Sequence, residues 1–302
     1  MPSTDAKPDR REPPDIESAG GTARPPVFLA SAADLAGPEV VLRGREGRHA
    51  STVRRLGPGE RVDLTDGAGT LAECIVAAAR PGELELTVHG RINQPRPQPL
   101  MTVVQAIPKG ERGELAVELL TEVGVDVIIP WAAQRCVAVW RGDRAVKARD
   151  RWQAAAQEAV KQSRRSWLPE VTGQADLTAV SQRVADSDLA VLLDPGAEVP
   201  LAGLPVPATG EIVVIVGPEG GVTTAERDRL TAAGALGPLV LTRQRRSPVS
   251  SSGVAARTSS PMSGSDWELR SAEDPACLLA LPHDDEAAGV SCRIRIDIGS
   301  GA

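Results

Sequence analysis

Gly217-Pro218-Glu219-Gly220-Gly221 is the stretch whose residue types and spacing best suit chemistry. Glycine reaches positive φ and lets a ligand come close to the main chain. The four residues before the loop, Val213-Val214-Ile215-Val216, form the pattern of a strand buried on both faces. Thr223 or Thr224 is placed to cap a helix running through Ala225-Glu226-Arg227. A buried strand ending in a tight glycine loop ahead of a helix is where open α/β sheets hold ligands, although the same pattern also makes a plain strand-to-helix turn.

A second concentration of chemistry is cationic. Between Arg135 and Arg165 nine basic residues stand against three acidic ones, in a chain whose net charge is −6. Such a run is either a solvated helix face or a surface that meets phosphate. The overall acidity argues against a protein that coats nucleic acid indiscriminately. With one Phe, five Trp and no Tyr, base-stacking platforms are unlike this composition. Cys74, Cys136, Cys277 and Cys292 form no C-x-x-C pair, and with three His in the chain no zinc ligand set or other metal site is expected. No apolar run reaches transmembrane length and no signal-peptide core opens the chain, so a cytoplasmic protein is expected.

The elements that must position these residues fall into two sets. Residues 1–26 are rich in Pro, Asp, Arg, Ser and Gly and read as a disordered extension. From 27 to 92 short strands follow closely (Val40–Leu42, Arg61–Leu64, Ala72–Val76, Glu83–Val88), with a short helix from Gly47 to Leu56 and a hairpin turn at Asp66-Gly67-Ala68-Gly69. That pattern predicts a small β-barrel. Residues 93–99 form a Pro-rich linker. From 100 to 242 the period alternates: strands at Leu100–Ala106, Val125–Pro130, Leu189–Asp194, Val213–Val216 and Leu239–Leu241 are separated by helices at Glu111–Val123, Asp143–Ser163 and Thr224–Ala233. On the first of these helices Leu115, Leu119 and Val123 are expected to face the core. Alternation of this kind predicts an α/β domain with a mostly parallel sheet. Residues 243–302 hold eleven Ser and little periodicity; they read as an atypical, disordered tail, with one edge strand over Val290–Ile296.

Taken in order, several motifs resemble the bacterial 16S ribosomal RNA (uracil-N3)-methyltransferases of the SPOUT superfamily. They are His49-x-x-x-Val53-x-Arg55-Leu56 with Gly57-Pro58-Gly59, Pro108-Lys109-Gly110-Glu111-Arg112-Gly113-Glu114, Gln134-Arg135-Cys136, Glu158-Ala159-x-Lys161-Gln162-Ser163-Arg164-Arg165, Val216 to Gly221, and Leu236-Gly237-Pro238. The resemblance spans roughly residues 27 to 241. It implies a PUA-like RNA-binding barrel followed by a trefoil-knotted α/β domain that forms a homodimer. It also implies S-adenosylmethionine as methyl donor and, as substrate, a uridine near the decoding site of 16S RNA in the small subunit, methylated on N3.

Methyl transfer from a sulfonium needs mainly alignment of donor and acceptor. On this resemblance Val216, Gly217, Pro218, Glu219, Gly220, Gly221, Leu236, Gly237, Pro238 and Leu241 are the expected cofactor contacts. The uracil N3 proton must leave, and a nearby cation favours the imide anion. Arg165 is the expected cation, with an RNA phosphate contact or a salt bridge as its other reading. Glu219 is expected to bond near the cofactor or to accept the proton, with a helix N-terminal charge as its other reading. For RNA contact the expected residues are Arg48, His49 and Arg55 in the barrel, and Lys109, Arg112 and Arg135 in the second domain. A surface role for Arg48 and a packed core role for His49 stay open.

The chain departs from the family after Leu241. The expected Leu-Arg-Thr-x-Thr-Ala motif and its helix, which thread the knot and close the cofactor pocket, are replaced by Thr242-Arg243-Gln244-Arg245-Arg246-Ser247. The Ser, Arg and Pro bias beyond this point is what a change of reading frame in a GC-rich gene produces. An unshifted frame in independent isolates would refute that origin. Two other readings follow: a catalytically impaired RNA-binding remnant, which would bind no S-adenosylmethionine, and a ribose 2′-O-methyltransferase, which the barrel and the Pro108–Glu114 motif disfavour.

Overall fold

The computed structural model describes residues 24–194, 197, 201 and 204–239, together with two short paired strands at Cys277–Leu279 and Ile294–Ile296. Leu241, the extension before residue 24, the rest of the tail and the segment that would thread a knot lie outside the described residues.

The first layer is a five-stranded mixed sheet in the order β1-β3-β4-β5-β2. Its strands are β1 (Val27–Leu29), β2 (Glu39–Leu42), β3 (Arg61–Thr65), β4 (Thr70–Arg80) and β5 (Glu83–Asn93). β1 and β2 are the two edges, so the expected barrel is a half-barrel among the described residues. Two-residue alternation puts Val40, Leu42, Val62, Leu64, Ala72, Cys74, Val76, Leu84 and Leu86 into one core with Phe28 and Leu35. A short helix α1 (Ala32–Leu35) begins in a capping box made by Ser31 and Asp34. The expected helix near residue 50 is α2 (Gly44–Arg48), which widens into a π turn over His49–Val53.

The second layer is a six-stranded parallel sheet in the order β11-β9-β10-β6-β7-β8. It comprises β6 (Leu100–Ala106), β7 (Val127–Trp131), β8 (Glu170–Val171), β9 (Leu189–Leu193), β10 (Glu211–Val216) and β11 (Leu236–Leu239). Helices α3 (Arg112–Glu122) and α4 (Asp143–Ser163) cover one face, where Val117, Leu120, Trp152 and Ala156 meet Val103, Ile128 and Val214. Helices α5 (Leu177–Asp186) and α6 (Thr224–Ala232) cover the other, where Val180, Val184 and Leu230 meet Val104, Val213 and Ile215. In β10, then, Ile212 and Val214 serve one core and Val213 and Ile215 the other, as the run of β-branched residues predicts. Each such side chain contributes about 1.5–3 kcal/mol of burial, so the chain leaves β10 from a firmly fixed point.

One expectation about packing is corrected. On α3 the buried residues are Gly113, Ala116, Val117, Leu120 and Thr121, whereas Leu115 is 42% exposed. A Cβ on Gly113 would stand 2.6 Å from Trp152 Nε1, so α3 approaches α4 through its glycine and not through the leucine stripe. The helix α5 has no counterpart in the sequence reading.

The two layers are joined at the end of α4. Lys161 is buried there, with Nζ 3.0 Å from Glu46 Oε1 and 2.8 Å from Glu158 Oε2. The hairpin turn at 66–69 seats on the segment after α4: Gly69 N–H donates to Ser166 O at 2.9 Å and Leu168 N–H donates to Gly67 O at 2.9 Å. A Cβ on Gly69 would meet the Trp167 ring at 2.7 Å, which is why that turn needs glycine.

Candidate active site

All strands of the parallel sheet end on one edge, and the glycine loop leaves β10 there. Gly221 N–H donates to Pro218 O at 2.8 Å and Gly221 sits at φ 74°, so Pro218–Gly221 is a turn that only glycine closes without strain. A Cβ on Gly217 would lie 2.7 Å from Val222 Cγ2.

Thr223 then caps α6 as expected, in a reciprocal box with Glu226. Glu226 is buried and also accepts a hydrogen bond from Gln134 N–H at 2.7 Å. Burial pushes its carboxyl up, but the bonds from Gln134 and Thr223 and the charge of Arg135 outweigh that and hold it below the ordinary glutamate value. The segment after β7 is thereby tied to the start of α6.

That tie places Arg135 over the loop. Its Nη1 donates to Gly220 O at 2.8 Å, and a Cβ on Gly220 would be 3.4 Å from Arg135 Cβ. From the other side the chain after β6 supplies Lys109, whose N–H lies 3.5 Å from Glu219 Oε1, and Arg112, whose Nη1 lies 3.8 Å from the same oxygen. Arg112 and Glu219 are each about half exposed. A pair so open to water is worth about 0–1 kcal/mol, so the fold gains little from gathering these charges.

Leu236, Gly237 and Pro238 reach the same edge, one strand beyond β9. Gly237 sits at φ 128°, and a Cβ there would be 2.7 Å from Leu192 O. The loop at 217–221 and the segment at 236–238 therefore flank the end of β9. Strand spacing puts them about 10 Å apart. Asp194, which ends β9 between them, was not singled out from sequence. Its N–H donates to Leu239 O at 2.9 Å and its Oδ2 accepts from Arg227 Nη2 at 2.8 Å. An acidic residue directly after a buried apolar run was the available signal.

Of the expected site residues, then, Val216 to Gly221, Leu236 to Pro238, Lys109, Arg112 and Arg135 meet on one edge. Arg165 does not join them. Its Nη1 donates to Thr121 O at 2.9 Å and Val125 O at 3.0 Å, its Nη2 donates to Gly124 O at 3.1 Å, and Asp126 stands 4.0 Å away. Those groups precede β7, at the amino edge of the sheet. Since β7, β6 and β10 run in parallel register, Arg165 and Glu219 are a full strand length apart. Within this chain Arg165 therefore stands apart from Glu219, with its guanidinium bonded to three backbone carbonyls. Arg48 and Arg55 are exposed on the half-barrel, and His49 packs edge-on to Phe28 with ring centroids 5.6 Å apart. Cys136, near the loop, is held as a thiol because burial raises its pKa. Among the described residues no group of His, Cys, Asp and Glu could hold a metal, and no helix is long and apolar enough to cross a membrane.

Residues 94–243 match the family model of an RNA methyltransferase domain, and residues 42–88 that of an RNA methyltransferase PUA domain. A protein named ribosomal RNA small subunit methyltransferase E from Mycobacterium tuberculosis (strain CDC 1551 / Oshkosh) is 42% identical over 241 residues, covering 77% of this chain and 92% of its own. Its namesake from Bacillus subtilis (strain 168) is 29% identical over 216 residues, covering 68% and 84%. The crystal structure of a ribosomal RNA small subunit methyltransferase E from Neisseria gonorrhoeae bound to S-adenosyl methionine superposes with a TM-score of 0.64. It is 25% identical and covers 72% of this chain and 90% of its own.

Proposed function

The chain belongs to the RNA methyltransferase family of ribosomal RNA small subunit methyltransferase E, and we propose that it methylates N3 of a uridine in 16S RNA of the small ribosomal subunit, with S-adenosylmethionine as donor. Ribosomal RNA methylation dependent on that donor follows from the family; the base, the position and the subunit context are the proposal. The observation that carries it is the meeting of Lys109, Arg112, Arg135 and Glu219 on the glycine loop.

The site fits the donor on two sides. Glycines at 217 and 237 stand where a Cβ would collide, and Gly221 turns the loop at positive φ. Bound there, the donor supplies an electrophilic methyl group on a sulfonium. Gly217 to Gly221 and Leu236 to Pro238 would hold it across the end of β9. Arg135 fixes the loop through Gly220 O. Arg112 stands where a cation would favour the uracil imide anion, the role first assigned to Arg165. Glu219, exposed on the same turn, accepts the N3 proton.

We infer that the protein works as a homodimer in the cytoplasm. Val137, Val139 and Val146 are 71%, 57% and 61% exposed, an apolar stretch suited to a second copy. Calorimetry with S-adenosylmethionine, followed by methyl transfer to small subunits lacking the mark and nucleoside mass spectrometry, tests the function. The expected product is 3-methyluridine. A ribose-methylated product, or donor binding without transfer to any small subunit, would overturn the assignment.

A further inference from the structure

A cleft of about 220 Å³ opens between the half-barrel and the end of α4, far from the glycine loop. Arg24, Phe28, His49, Arg54, Lys161 and Arg164 are among the residues that line it. Two of these cations are neutralised: Lys161 by Glu46 and Glu158, and Arg164 by Asp63. Arg45 completes the cluster on Glu158. The guanidinium groups of Arg24 and Arg54 have no hydrogen bond or ion pair with any described residue. Five cations thus face three carboxylates, and the cleft keeps two positive charges.

The backbone singles out the same place. Arg55 at φ 57° and Arg164 at φ 58° are the non-glycine residues with left-handed φ among the described residues. Both are arginines: Arg164 lines the cleft as the left-handed C-cap of α4, and Arg55 stands next to Arg54. The π turn over His49–Val53 ends at Arg54. Turns of this kind recur at functional sites. Of the π turn only Ala50 enters the half-barrel core; Arg54, Arg55 and Arg164 stay outside it.

We propose that this cleft holds a phosphodiester of the RNA substrate, with Arg24 and Arg54 as the phosphate contacts and Lys161, locked between Glu46 and Glu158, as a fixed floor. This rests on the RNA methyltransferase reading and deepens it. The cleft is smaller than the roughly 300–1,000 Å³ of small-molecule sites. It suits one phosphate with its sugar and not a nucleotide ligand held whole. Lys161 and Arg164 close α4 next to Arg165, at the amino edge of the sheet. Within one protomer an RNA that meets both this cleft and the glycine loop must reach across the strands. The RNA must therefore extend well beyond the target nucleotide.

The test is binding of the full-length protein to a small-subunit ribosomal RNA transcript, followed by fluorescence anisotropy from low to high salt. Arg24→Ala with Arg54→Ala is expected to weaken binding at least tenfold at low salt. It should also flatten log K against log salt by about 1.4–1.8, two phosphate contacts' worth. The Lys double substitution should restore most of both. Affinity for S-adenosylmethionine, measured on the same preparations, should not move, which shows that the variants are folded. A double Ala variant that binds the transcript with wild-type affinity and slope would overturn the cleft alone. Wild-type protein that binds no RNA would overturn the functional reading along with it.

Discussion

The two edges of the parallel sheet carry the same residue types to opposite ends. At the carboxyl edge Arg112, Arg135 and Glu219 are exposed or half exposed and lean on a loop nearly without side chains. At the amino edge Arg165 is 15% exposed and bonded to three carbonyls, Asp126 accepts from Met101 N–H, and Glu211 takes Thr102 and Arg183. The first edge leaves its charges exposed to solvent. The second uses its charges up on the main chain and on neighbouring side chains. Whether an arginine works on substrate or on architecture is decided here by how many carbonyls reach it first.

The sharpest way to break this comparison is at Arg165. Arg165→Ala should cost about 3–5 kcal/mol, the range for breaking a buried charged contact, read by urea denaturation. Affinity for S-adenosylmethionine per folded molecule should stay unchanged. Loss of that affinity in a stable variant would return Arg165 to the site. Glu219→Gln should do the reverse: about a 100-fold fall in kcat, typical of a lost general base, with no shift in the unfolding midpoint. Between these extremes lies Gly237→Ala, where φ 128° and the 2.7 Å approach to Leu192 O admit no Cβ. It should cost about 1–3 kcal/mol of strain and weaken donor binding by calorimetry. The smallest effect is one of pH. The folded-state pKa of Glu226 is depressed, so its stabilising bonds are fully present above the ordinary glutamate value and are lost as pH falls through the depressed one. The fluorescence of Trp131, which shares a core with Val222 at the end of the loop, should shift in that acid window, and Glu226→Gln should abolish the shift.

Much of the carboxyl edge was legible in the sequence. A run of β-branched residues, clustered glycines and a Thr-x-x-Glu box are local signals, and each gave the right element. What was not legible depends on contacts distant in sequence. Arg135 and Arg165 belong to one basic run, and nothing within it separates them. The difference lies in the carbonyls of Thr121, Gly124 and Val125, some 40 residues from Arg165 along the chain. On α3 a leucine stripe was a fair reading until Trp152 on a neighbouring helix made Gly113 the contact. Helix α5 was readable and missed: Asp176 caps it through Ala179 N–H, and Val180 and Val184 stand four residues apart on its buried face.

The salt bridge between Lys161 and Glu46 joins residues 115 positions apart. At a synthesis rate of about 5–20 residues per second, Glu46 leaves the ribosome roughly 6–23 s before the lysine that will cover it. Until then the half-barrel exists with that carboxylate in water and with no second layer to lean on. The joint closes only once α4 has been made, so the order of translation sets the order in which this contact forms: the half-barrel is synthesised before the half that carries the glycine loop.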